Sequence, residues 1–169
     1  AFPDQVAGLI LYSPNIAIND PNAWLLNNPW GLQLARLVLK SNYNTPKDQR
    51  AIYKQYWNSP YRLEATVALE EMLETSMKKS TFEKVNQPTL LLYYYKDEEH
   101  QDPVVKVSAM KRMFSQLGTA DSLKREVALP YTGDHVIGSY IKSKDVQSVV
   151  NETEKFAREI LHITEINNQ

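Results

Sequence analysis

An uninterrupted apolar and aromatic run, Leu90-Leu91-Leu92-Tyr93-Tyr94, is entered through Pro88-Thr89 and left through an acidic loop, Lys96-Asp97-Glu98-Glu99-His100-Gln101-Asp102. No polar side chain alternates within it, which suits a strand covered on both faces, as in a parallel sheet between helices. The pattern restarts at Pro103 with helical spacing. Val104, Val107, Met110, Met113, Phe114 and Leu117 share one face, and Gly118 follows as a C-terminal cap. Residues 6–12 predict a second buried strand, ended by Ser13-Pro14 because proline cannot donate to a ladder. Residues 123–129 predict a third, more polar at its start and therefore near a sheet edge. The last element reads as an amphipathic helix capped by Ser143, with Val146, Val149, Val150, Phe156, Ala157, Ile160 and Leu161 as its apolar stripe.

Between the first two strands, residues 15–85 offer no convincing strand. Asn27-Asn28-Pro29, Thr45-Pro46-Lys47-Asp48 and Ser59-Pro60 each read as the start of a helix. Leu32 to Leu39 and then Leu63, Val67, Met72, Leu73 and Met77 supply the apolar faces. This section therefore predicts a small helical insert. Its rings, Trp24, Trp30, Tyr43, Tyr53, Tyr56, Trp57 and Tyr61, are expected to form the core of that layer, some of them lining an apolar pocket in the sharper reading. The order strand, insert, strand, helix, strand, helix makes the chain α/β, with three parallel strands joined by crossovers. In such sheets ligands bind at the carboxyl edge of the strands. The acidic loop lies at that edge, and so does the next loop, residues 130–139, which presents His135.

Composition narrows the chemistry. With 43% hydrophobic and 23% charged residues and a net charge of −1, the 169-residue chain is an ordinary globular sequence without a basic stripe for nucleic acid. Cysteine is absent, which excludes disulfides, thiolate metal sites and a cysteine nucleophile. No apolar run reaches the roughly 20 residues of a membrane span. Residue 1 is Ala and a strand follows almost at once, so the chain is expected to be the later part of a longer protein. Any targeting signal would then lie upstream, and the compartment stays open.

Asp102-Pro103-Val104-Val105, after a strand beginning Pro88-Thr89-Leu90-Leu91-Leu92, resembles the acid-bearing loop of α/β-hydrolases. Gly133-Asp134-His135-Val136-Ile137-Gly138-Ser139 resembles their histidine loop, and the first strand with its helical insert looks like the strand and lid that precede both. The resemblance covers the whole chain as the C-terminal half of such a fold: residues 1–14 and 86–169 as core, 15–85 as lid. It implies carboxylic-ester hydrolysis by a serine, an aspartate and a histidine in that chain order. Asp102 would be the acid and His135 the base. Asp97 is the rival acid, closer to the strand end, but the two valines after Asp102 fit the family's register. Asp134 reads as a turn residue, His100 as solvated, and His162 as suited to the negative end of the last helix.

The nucleophile elbow of that family, Gly-x-Ser-x-Gly, is not in the sequence: no two of Gly8, Gly31, Gly118, Gly133 and Gly138 stand four apart. Ser13 ends a strand but is followed by proline, which does not suit an elbow. No cofactor is implied, and the clustered acids at residues 97–99 with His100 read as a solvated loop, not a metal site. The expected function is thus the acid and base of a serine hydrolase, inactive without the upstream nucleophile, acting on a small ester substrate. The alternative is a non-catalytic binding module on the same scaffold. The first strand, lacking a neighbour on its outer side, is expected to pair with the missing half or with a second copy.

Overall fold

The structure is a computed structural model and describes residues 3–164. Its centre is β4 (Thr89–Tyr94), whose Leu90, Leu91 and Leu92 are wholly buried. β4 pairs in parallel with β1 (Leu9–Tyr12) on one side and with β5 (Lys124–Leu129) on the other. Successive side chains of a strand point to opposite faces, and each face of β4 has its own cover. Leu91 and Tyr93 pack with Val107, Met110, Met113 and Phe114 of α5 (Val107–Ser115) and with Phe82. Leu90 and Leu92 pack with Leu129, with Ile137, and with Val149 and Phe156 of α6 (Val146–Glu159). Two helical layers explain why this strand is apolar throughout.

β1 is different. Its residues alternate between half-buried and exposed, Ile10 being 40% exposed, and among the described residues no strand pairs with its outer edge. The strand is also shorter than expected, four residues and not seven, because residues 6–8 have no partner on β4 beyond the Leu9–Thr89 register.

The section between β1 and β4 is helical, with α1 (Gly31–Leu39), α2 (Ala51–Tyr56), α3 (Leu63–Ser76) and α4 (Lys79–Phe82). It also holds an unforeseen two-residue antiparallel pair, β2 (Tyr43–Asn44) with β3 (Tyr61–Arg62), which closes the loop around α2. Arg36 of α1 reaches Glu64 of α3 at 2.9 Å. The expected aromatic core is largely absent. Trp30 is 70% exposed, Trp24, Tyr43 and Tyr56 are exposed too, and Tyr53 stacks on Trp57 only half-buried.

Several boundaries move for local reasons. α5 starts at Val107, not at Pro103, because the preceding four residues are held by Asp102 and by a bridge between Val105 and Ile18. Gly118 does not adopt the left-handed cap conformation. A Cβ there would run into the Glu83 carbonyl, so glycine permits a close approach of α5's end to the segment after α4. α6 is capped by Asp145, whose carboxylate accepts from Ser148 N–H at 3.1 Å, while Ser143 supports Asp145. α2 begins three residues after Asp48, and α1 begins two after Pro29. α6 ends at Glu159, so His162 lies beyond it.

Two outcomes follow. Phe156→Ala should cost about 3–5 kcal/mol, since it leaves a cavity beneath β4, whereas Val150→Ala on the same helix, 38% exposed, should cost under about 1; urea unfolding separates them. Glu70 of α3 is buried with its Oε2 unpartnered among the described residues, and burial, helped by Glu74, pushes its carboxyl above the ordinary value while Lys106 opposes this. A carboxyl raised in the folded state binds its proton more tightly there, so stability falls as pH rises from the unfolded value through the raised one. Glu70→Gln should therefore stabilise the chain at neutral pH, with the gain vanishing below about pH 4; melting curves at both pH values check this.

Candidate active site

The segment after β4 folds back on itself. Lys96 N–H donates to the His100 carbonyl at 2.9 Å, and Tyr95 bridges Gln101. Inside this turn Asp97 Oδ1 accepts from the N–H groups of Glu99 and His100 and meets the His100 ring at 2.7 Å. That hydrogen bond, more than any other contact, holds the Asp97 carboxyl below its usual value. Asp97 is thus occupied within its own turn, pointing to solvent with His100. Among the described residues, no group of three or more His, Asp or Glu side chains could hold a metal ion.

The turn returns the chain to the strand end at Asp102, whose N–H donates to the Tyr94 carbonyl at 3.1 Å. Asp102 has no solvent exposure. A carboxylate in that position needs a partner for each oxygen, and it has them. Oδ1 accepts from Val104 N–H and Val105 N–H, both at 2.9 Å, and Oδ2 lies 2.8 Å from His135 Nδ1. Asn19, from the segment after β1, donates to the Asp102 carbonyl at 3.1 Å. Nothing in the sequence marks Asn19 for this task.

His135 sits on the loop after β5. Thr132 is buried, its hydroxyl donating to the Leu129 carbonyl at 3.2 Å, and Lys144 N–H donates to the Thr132 carbonyl. Gly133 then takes φ +70°, a left-handed conformation that glycine adopts without strain. Asp134 Oδ1 accepts from Val136 N–H at 3.0 Å, so Asp134 is the turn residue its position suggests. Ile137 is buried in the core beneath the turn, anchoring it from below. The imidazole keeps 26% of its surface exposed while the carboxylate keeps none. With Nδ1 on Asp102, the other ring nitrogen, Nε2, has no hydrogen-bond partner among the described residues.

Ser13 closes β1 with φ +44° and is buried, its hydroxyl without a partner among the described residues. The chain leaves it towards the helical section, not into a helix of its own. A cavity of about 710 Å³ lies beside these strand ends. Its wall includes Leu25, Leu26, Leu34, Val38 and Leu69 from the helical section and Val104, whose N–H is bound by Asp102. Aliphatic residues line most of it, and of the rings of the helical section Tyr61 does so too.

No family model and no curated protein matches the sequence. The fold does have likenesses among solved structures. One, from the metagenome-derived lipolytic enzymes LipS and LipT, matches 94% of this chain and 57% of its own, with a TM-score of 0.66 at 14% identity. Another, a soluble variant of monoglyceride lipase from Saccharomyces cerevisiae in complex with a substrate analog, matches 87% of this chain and 54% of its own, with a TM-score of 0.53 at 13% identity. The fold is that of an α/β-hydrolase. The chain spans little more than half the length of these α/β-hydrolase structures, and at such identities the likeness is one of architecture. Within that architecture the three parallel strands, the helices on both faces and the two loops at the carboxyl edge are where the resemblance of the sequence had put them.

The burial of the two aspartates separates their structural weight. Asp102→Ala would leave the buried Val105 N–H, the part-buried Val104 N–H and the imidazole unpaired and should destabilise by about 2–4 kcal/mol. Asp97→Ala, in an exposed turn, should cost under about 1 kcal/mol. Parallel denaturant titrations distinguish the two.

Proposed function

We propose that the chain carries the general base and the orienting acid of a serine-dependent carboxylic-ester hydrolase, with His135 as base and Asp102 as acid. The observation that carries this reading is the 2.8 Å contact between His135 Nδ1 and a fully buried Asp102, on neighbouring loops at one edge of a parallel sheet. A serine hydroxyl is a weak nucleophile until a neutral imidazole takes its proton. Here Nε2 takes the proton as the serine oxygen attacks the ester carbonyl, then returns it to the departing alcohol. Water repeats the cycle on the acyl-serine, Nε2 again taking and returning one proton, to release the acid. Asp102 keeps Nδ1 protonated and steadies the imidazolium that forms.

The nucleophile and the oxyanion donors belong to a part of the protein that this sequence does not contain. In this reading residues 1–14 and 86–169 are core and residues 15–85 are the lid over the active edge. The aliphatic cavity beneath the lid suits the acyl or alcohol chain of a small ester. The unpaired outer edge of β1 suits the strand of the complementary half, and Ile10 and Tyr12, both 40% exposed, suit its covering side chains. The alternative is a non-catalytic module on the same scaffold, whose complementary half also lacks the elbow serine; an elbow in that half decides against it. Among the described residues no helix is long and apolar enough to cross a membrane.

The 169-residue chain should not turn over a p-nitrophenyl ester, and should do so once extended or reconstituted with a half that carries an elbow serine. His135→Ala in that assembly should then lower kcat by about 10³–10⁴ or more. Turnover by the chain alone that His135→Ala abolishes would place the nucleophile within these residues. Alone, the chain should scatter light as a species larger than its 19.5 kDa monomer, through the β1 edge; a stable monomer would argue against that edge as a pairing surface.

A further inference from the structure

The helical section and the histidine loop are joined by side chains far apart in the sequence. Arg50, at the N-terminal end of α2, donates from its guanidinium to the Ile141 carbonyl at 3.0 Å, across 91 residues. The same guanidinium holds Asp48 through Nη2 to Oδ2 at 2.7 Å and Nε to Oδ1 at 3.0 Å. This hydrogen bonding keeps the Asp48 carboxyl down at about 2. Lys142 Nζ completes the junction. It lies 3.1 Å from Asp134 Oδ2, 3.8 Å from Asp48 Oδ2 and 5.8 Å from the centre of the Tyr53 ring.

Asp134 is the pivotal group, because it uses its two oxygens differently. Oδ1 accepts Val136 N–H and so closes the turn that contains His135, while Oδ2 is held by Lys142. A single exposed ion pair contributes little. These groups are linked, and Lys142, Asp48 and Asp134 are each mostly withdrawn from solvent. Linked groups constrain geometry more than any one pair would. What they constrain is the turn whose central residue carries the imidazole.

We propose that Asp134 and Lys142 are positioning residues for His135, held from the helical section by Asp48 and Arg50. Docking of that section and placement of the imidazole against Asp102 are then one event. Release of the segment around α2 loosens the base, so the base is in place only while that segment is docked on the loop at residues 134–142. This deepens the reading of His135 as general base, but the test below reads where the ring sits and whether the section is docked, neither of which requires that reading to hold.

The test uses the 169-residue chain, with the Nδ1–H proton resonance of His135 and amide hydrogen exchange as its two readouts. Lys142→Met and Arg50→Met should each broaden the His135 resonance and speed exchange across residues 51–62 by about fivefold, while β4 amides stay protected. Lys142→Arg should restore both. A His135 resonance as sharp as wild type in both Met variants would overturn the inference. So would faster exchange at 51–62 with the ring unaffected, since docking and ring placement would then be independent. Should either Met variant lose β4 protection, Asp134→Asn decides, because it keeps an acceptor for Val136 N–H and removes the charge that Lys142 holds. Broadening there supports the coupling, and an unchanged resonance overturns it.

Discussion

A carboxylate with no exposure to water is costly unless its charge is met on every side, and Asp102 is such a group. Its requirement organises the carboxyl edge of the sheet. The chain leaves β4, spends residues 95–101 on a closed turn, and comes back so that one carboxylate oxygen can take two valine N–H groups. The other oxygen is met from the loop after β5, by His135 Nδ1 at 2.8 Å. The loop in turn needs Gly133 in a left-handed conformation and Ile137 sunk into the core to present the ring at that point. β4, buried on both faces and paired on both edges, is the rigid reference for both loops.

The parts of this arrangement that follow from local pattern were legible in the sequence. The apolar run of β4 and the stripe of α6 announce their burial directly, and two glycines around His135 announce a special turn. The ranking of Asp102 over Asp97 needed the family resemblance. What the folded turn at residues 96–101 adds is a difference in surroundings: Asp102 is fully buried and accepts two valine N–H groups, while Asp97 is bound within its own exposed turn. The same two bonds explain why α5 starts four residues late: Val104 and Val105 carry helical-looking apolarity but are used to cap a carboxylate and to bridge Ile18.

Elsewhere composition misled. The rings of the helical section suggest a core, yet Trp24, Trp30 and Tyr56 stand exposed while leucines line the cavity. Aromatic content says that large apolar area exists, not which way it faces. Asn19, Lys142 and Arg50 gave no signal at all, because each meets a partner far away in the sequence, Asp102, Asp48 and Ile141 respectively. The exposed side chains of β1 belong to a chain that spans little more than half of the solved α/β-hydrolase structures it matches. On the reading proposed here, those side chains and the open edge of β1 await the half that brings the nucleophile.

The central claim, that Asp102 orients His135 for chemistry at Nε2, is a claim about which ring nitrogen carries the proton. Long-range proton–nitrogen correlation spectra of the neutral His135 ring measure this directly. The account predicts an Nδ1-protonated ring with a bare, acceptor-type Nε2, and loss of that preference in Asp102→Asn. A ring protonated at Nε2 in the unaltered chain, or one indifferent to Asp102→Asn, would contradict it.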